Sequence, residues 1–186
     1  FFMLINIKNL KKYYGDRLIL DIKDFNLYNG DRIGLVGLNG SGKTTLLNIL
    51  VAEEEFSQGS VNMSKSYFYI RQLEDLSENP IDKQYLNKFN IKNTNKKTMS
   101  GGELTKLKIS GFFNKNTELL LADEPTSNVD LKGKEILRDR LLQHQGGILL
   151  VSHDRDFLDN ICNKIAELED GNIKIYEGNY SQYKEQ

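Results

Sequence analysis

Residues 32–50 read Arg32-Ile33-Gly34-Leu35-Val36-Gly37-Leu38-Asn39-Gly40-Ser41-Gly42-Lys43-Thr44-Thr45-Leu46-Leu47-Asn48-Ile49-Leu50. The first five read as a buried strand that ends at Gly37. From Gly42 onward the spacing becomes helical, with Leu46, Leu47 and Leu50 on one face. Between strand and helix, Gly37-Leu38-Asn39-Gly40-Ser41-Gly42-Lys43-Thr44 fits the phosphate-loop pattern G-x-x-x-x-G-K-[ST]. Its glycines let the backbone wrap tightly and turn its N–H groups inward toward phosphate oxygens. The helix N-terminus adds partial positive charge. Lys43 supplies an ammonium for the β- and γ-phosphates, Thr44 a hydroxyl for Mg²⁺, and Thr45 a hydroxyl for the α-phosphate. The bare pattern arises by accident in roughly one chain in a hundred of this size. A strand before it and a helix after it make accident rarer.

Farther along, Leu119-Leu120-Leu121-Ala122 reads as a buried strand that delivers Asp123 and Glu124 at its C-terminal end. Ligands bind at that edge of an open α/β sheet. Asp123 is suited to hold Mg²⁺ through water, and Glu124 to act as general base on an attacking water. Two acids after a strand are weak support alone, since many loops begin with acids. Pro125 ends the strand, and Ser127 to Asp130 reads as a turn that caps a helix near 131–142. Strand 147–151, helix 154–161 and a hairpin around Asp170-Gly171 follow.

N-terminal to the loop, Leu4 to Ile7 reads as a strand and Leu18 to Leu27 as a second strand or strand pair. Gly59 to Met63 and Tyr67 to Ile70 read as a short antiparallel pair. Residues 74–98 are polar, with a helical stripe of Ile81, Tyr85, Leu86 and Phe89. A helix is expected to open at Ser100-Gly101-Gly102 and continue through Leu104, Leu107 and Ile109. The alternation implies an α/β fold: a mostly parallel central sheet flanked by helices, with an antiparallel edge.

The 186 residues suffice for one compact domain. A net charge of −1 argues against a dominant electrostatic attraction to nucleic acid. The single cysteine, Cys162, reads as a small buried apolar residue. No apolar stretch is long enough to span a membrane, and the expected compartment is the cytoplasm.

Met99-Ser100-Gly101-Gly102-Glu103 resembles the signature motif of the ATP-binding cassette superfamily of P-loop NTPases. The resemblance covers essentially the whole chain. It implies binding of Mg-ATP and its hydrolysis at a composite site. Ser100, Gly101 and Gly102 would grip the γ-phosphate held by a second cassette. Tyr14 stands where the family stacks an aromatic ring on adenine, with Tyr13 as the neighbouring candidate. Gln72 matches the glutamine that senses Mg²⁺ and the γ-phosphate, His153 the switch histidine, and Asp130 the D-loop aspartate that meets the partner domain. Thr44, Gln72 and Asp123 are the implied metal set, and Glu124, His153 and Lys43 the catalytic one.

Two kinds of cassette compete: a transporter ATPase, and a soluble ABC-F protein with two such domains in one chain. Lys43 and Ser100 are 57 positions apart, and Gln72 and Met99 are 27 apart, so the helical subdomain, about 74–114, looks reduced. Ser152-His153-Asp154-Arg155-Asp156-Phe157-Leu158-Asp159 is similar to the ABC-F switch region, and Glu103 points the same way. Glu177 to Tyr183 looks like the end of a first ABC-F domain, so a linker is expected to begin within 179–186. Residues 3–186 are then one nucleotide-binding domain. The segment from Leu121 to Asn128 and the short 72–99 region are most similar to the antibiotic-resistance branch. That branch implies a ribosome partner, reached through parts largely outside this chain. The second cassette would lie in the same parent, or in a homodimer of this chain. A module that binds nucleotide without turnover is the third reading, and the presence of both Glu124 and His153 argues against it. The chain departs from the family at Met99, where Leu is usual, at Ser110-Gly111 within a helix, and at Ser127-Asn128-Val129-Asp130, where ABC-F chains commonly have Asn-His-Leu-Asp.

Overall fold

The computed structural model describes residues 2–70, 103, 107, 117–127 and 129–186. Its strands are β1 (Met3–Tyr14), β2 (Arg17–Tyr28), β3 (Arg32–Val36), β4 (Gln58–Met63), β5 (Tyr67–Ile70), β6 (Leu119–Asp123), β7 (Gly147–Val151), β8 (Lys164–Glu169) and β9 (Asn172–Glu177). Among the described residues the helices of known extent are α1 (Lys43–Leu50), α2 (Leu131–Gln143), α3 (Arg155–Ile161) and α4 (Tyr180–Glu185). Glu103 and Leu107 are also helical.

Two sheets result. One is antiparallel, in the order β2-β1-β4; the other runs β5-β6-β7-β3-β8-β9. In the larger sheet β5, β6, β7, β3 and β8 are parallel, and β9 closes the edge antiparallel to β8. The expected α/β architecture with its antiparallel edge is therefore present.

Strand periodicity explains the layers. Leu119, Leu121, Leu149, Val151, Ala166 and Leu168 face one core, which they share with α1 and the inner face of the antiparallel sheet. Their neighbours Leu120, Ala122, Ile148, Leu150 and Ile165 face a second core with α2 and α3. A strand buried on both faces needs an unbroken apolar run, and that is how β6 and β7 read. Leu107 joins the second core.

The expected pairing of 59–63 with 67–70 is overturned. β4 pairs antiparallel with β1, whereas β5 pairs parallel with β6. The chain changes sheets at Ser64–Ser66, where Ser64 N–H donates to Leu4 O and Glu118 N–H to Ser66 O. Phe68 and Ile70 are buried with Leu120 in the second core, which a hairpin with β4 would have left uncovered. The segment 18–27 proves to be a single strand. β1 extends well beyond 4–7 because β2 and β4 flank it on both sides.

β7 enters through Gly146-Gly147, with no room for side chains. A Cβ on Gly146 would lie 2.0 Å from Glu118 O, and one on Gly147 would lie 2.4 Å from Leu27 Cδ2. Because the first obstacle is backbone, Gly146→Ala should destabilise the domain by roughly 2–3 kcal/mol. A urea titration would show this as a lower midpoint at unchanged slope.

Candidate functional site

The C-terminal ends of the parallel strands align. Asp123 of β6 is level with Val151 of β7, and Leu35 of β3 is level with the same residue. The loops that leave these strands therefore meet along one edge.

The loop after β3 wraps as its glycines allow. Gly37 has φ 152°, and a Cβ there would lie 2.4 Å from Leu168 O. Gly42, the N-cap residue just before α1, has φ 105°. Lys43 Nζ donates to Gly37 O at 2.9 Å and to Leu38 O at 3.0 Å. Partial burial lowers its pKa, opposed by the carboxylates of Glu124 and Asp123. Thr44 Oγ1 donates to Asp123 Oδ2 at 2.7 Å. Asp123 is 2% exposed, and burial raises its pKa against the Thr44 hydrogen bond and the charge of Lys43. Leu38, Asn39 and Gly40 form the exposed outer rim. With Ser41, Ser152, His153 and Arg155 the loop borders a cleft of about 1310 Å³.

Glu124 is buried and left-handed, with φ 48°. Such a conformation costs about 1–3 kcal/mol in a non-glycine residue and clusters at functional sites. Contacts from β7 and the loop after it hold it there: Glu124 N–H donates to Val151 O at 2.9 Å, and His153 N–H donates to Glu124 Oε2 at 3.2 Å. Glu124 Oε1 is buried without a hydrogen-bond partner among the described residues, and His153 Nε2 lies 3.5 Å away. Burial raises the Glu124 pKa, opposed by the His153 N–H bond and the His153 side chain.

That shift has a stability consequence. A carboxyl group with a raised folded pKa favours folding below the ordinary glutamate value, and this advantage is lost as pH rises through the folded value. Glu124→Gln should therefore raise the melting temperature of the nucleotide-free domain by roughly 2–4 °C at neutral pH. The difference should vanish near pH 4, where glutamate is largely protonated in both states. Thermal melts across pH would check both limits.

The flanking loops are tied together. Asp130 caps α2 by accepting from Gly133 N–H at 2.8 Å, so the expected capping is present. Asp154 caps α3 by accepting from Phe157 N–H at 3.1 Å, and its other oxygen takes Lys134 Nζ at 2.6 Å. Thr126 Oγ1 and Ser152 Oγ approach to 3.4 Å.

Tyr14 lies at the end of β1, half-exposed, with its hydroxyl 3.4 Å from Thr45 Oγ1 and hydrogen-bonded to Glu54. Tyr13 is partly exposed beside it. The structure thus gathers Gly37 to Thr45, Asp123, Glu124, His153 and Tyr14 around one loop. Gln72, Ser100, Gly101 and Gly102 lie outside the described residues, as does most of the segment 74–114. Cys162 is buried, and its thiol pKa is pushed up to about 12, in keeping with an inert core residue.

A family model described as "ABC transporter" matches residues 20–80. The energy-dependent translational throttle protein EttA of Haemophilus influenzae is 30% identical over 211 residues, covering 98% of this chain and 38% of that protein. The erythromycin resistance ATP-binding protein MsrA of Staphylococcus epidermidis is 36% identical over 171 residues, covering 90% of this chain and 35% of that protein. ABC transporter F family member 5 of Arabidopsis thaliana is 30% identical over 207 residues, covering 98% of this chain and 30% of that protein. The chain is an ABC-F nucleotide-binding domain.

This ABC-F domain spans about a third of the length of these relatives. Its fold matches a solved ATP-binding subunit of an ABC transporter with a TM-score of 0.84 at 21% identity, covering 98% of this chain and 92% of that one. No helix among its described residues is long and apolar enough to cross a membrane. Sequence reading missed the left-handed Glu124, because nothing in the letters Asp-Glu-Pro signals a positive φ. It also missed Lys134 and Asp154 as a pair, although Asp154 ahead of Arg155-Asp156-Phe157 has the composition of a helix cap.

Proposed function

We propose that this domain binds Mg-ATP at the loop of Lys43 and hydrolyses it when a second cassette completes the site. The observation that carries this is the meeting of Lys43, the Thr44–Asp123 pair and the Glu124–His153 pair on one sheet edge. Thr44 and Asp123 present hard oxygens 2.7 Å apart, which suits Mg²⁺, and Gln72 joins them in this proposal. Among the described residues no three His, Cys, Asp or Glu side chains converge on one point, so the remaining ligands would be phosphate and water oxygens. The bound ion would supply positive charge that polarises the phosphates. The chain's own residues do the rest. Lys43 neutralises phosphate charge. Glu124, with one oxygen anchored by the His153 N–H and the other 3.5 Å from His153 Nε2, takes a proton from the attacking water. His153 supports the γ-phosphate, Thr45 the α-phosphate, and Tyr14 carries the base. Ser100, Gly101 and Gly102 complete the site of the partner, and Asp130 meets that partner.

The full-length protein is proposed to be a cytoplasmic ATP-dependent clamp on the ribosome, of the antibiotic-resistance kind. Residues 3–186 form its cassette, with 74–114 a reduced helical subdomain and 179–186 leading toward a linker. In isolation the domain could pair only with its own copy, and it should turn over ATP weakly. The similarity to a translational throttle protein and to an erythromycin resistance protein supports the ribosome. Alignment lengths favour the resistance branch. The throttle alignment runs to 211 positions although the chain has 186 residues, so that relative carries insertions this chain lacks. The resistance alignment takes in 90% of the chain within 171 positions and leaves little room for any.

Sedimentation of ribosomes from cells tests this. Full-length protein with Glu124→Gln, and the matching change in its second domain, should pellet with ribosomes when ATP is present and stay behind without it. Recovery in membranes instead would point to a transporter ATPase.

A further inference from the structure

The hairpin tip beside the phosphate loop inverts the usual order of burial. Charged side chains are normally outside and aromatic rings inside. Here Tyr14 is 50% exposed, whereas the Lys12 and Glu54 side chains beside it are only 12% and 18% exposed. Lys12 Nζ lies 3.0 Å from Glu54 Oε1, donates to Glu55 O at 2.7 Å, and sits 4.8 Å from the centre of the Tyr14 ring. The Tyr14 hydroxyl donates to the same Glu54 oxygen. One cation and one carboxylate thus fix the ring at both its face and its tip. A side chain held this firmly while half of its surface stays exposed is a surface prepared for a cover.

We propose that Lys12 and Glu54 are positioning residues for Tyr14, locking its ring so that the face away from Lys12 is presented to a nucleotide base. This rests on the reading of Tyr14 as the base platform. Neither residue touches the nucleotide in this role. They act by sparing the ring the ordering cost that binding would otherwise incur. A lysine on one face leaves only the other for stacking, so the base has one side on which to sit.

The discriminating measurement is calorimetric binding of two probes to this chain, Mg-ATP and inorganic tripolyphosphate with Mg²⁺. The first carries a base and the second does not. Lys12→Met and Tyr14→Phe should each weaken Mg-ATP about 3- to 10-fold and leave tripolyphosphate unchanged. Lys12→Arg should restore ATP affinity, because it returns a cation to the ring. Tyr14→Ala should weaken ATP roughly tenfold or more, again with tripolyphosphate unchanged. If Tyr14→Ala behaves so but Lys12→Met and Tyr14→Phe match the parent, or lose both probes equally, the positioning role is wrong and the platform stands. If Tyr14→Ala shows no selective loss of ATP, the platform falls and the positioning role falls with it.

Discussion

In the full-length protein, Glu124→Gln with the matching change in its second domain should lower kcat for ATP hydrolysis by roughly 10²- to 10⁴-fold, the span of a lost general base. Affinity for ATP should stay within about twofold, because the change removes a proton acceptor and keeps the shape of the side chain. The geometry gives the reason. One Glu124 oxygen is committed to the His153 N–H, and the other, 3.5 Å from His153 Nε2, accepts no hydrogen bond among the described residues. An amide can still accept the His153 bond, so the loop should keep its conformation. Only basicity at the second oxygen is lost. Rapid-quench single-turnover measurements, with filter binding for affinity, separate the two effects. Unchanged turnover would remove Glu124 from the chemistry. Loss of affinity in step with turnover would make it a structural residue.

Lys43→Ala should act on the other parameter. It should weaken Mg-ATP binding roughly 30-fold or more, since truncating one member of a buried, hydrogen-bonded charge pair costs about 2–5 kcal/mol. Lys43 is partly desolvated and lies in the field of both Asp123 and Glu124. With it gone, two buried carboxyl groups face the phosphates without a compensating charge. Their pKa values, already raised by burial, should climb further because Lys43 holds both down. Titration calorimetry would show the loss directly. Equal affinity in parent and variant would exclude the loop around Lys43 as the phosphate site.

Much of this was legible in the letters because the key elements are local. The strand, glycine turn and helix from Arg32 to Leu50 follow from an apolar run, permissive residues and helical spacing. The β6 and β7 runs read as strands because both faces are buried. What failed was long-range pairing. Tyr67 to Ile70 carries no mark that says which sheet it joins, and its partner in β6 lies about 50 residues onward. The full length of β1 is hidden because the strand alternates imperfectly, with register shifts at Met3/Ile5 and Lys12/Tyr13. At the candidate site, the letters name residues that the structure brings together, but not their conformations. The positive φ of Glu124 and the ring contact of Lys12 arise from neighbours distant in sequence. Tyr14 at the base and Asp130 toward a partner remain proposals drawn from resemblance. The sites at Gln72 and Ser100 to Gly102 lie outside the described residues.

The left-handed backbone of Glu124 has a consequence for directed evolution. Glycine, and to a lesser degree asparagine, fits φ 48° with less strain than glutamate. Either would also remove a buried ionisable group. A library at position 124 sorted for heat resistance alone should therefore enrich glycine and asparagine and discard glutamate. The same library sorted for turnover should do the reverse. The two sorts, read by sequencing, would diverge at this codon while agreeing at most core positions, where packing serves both demands.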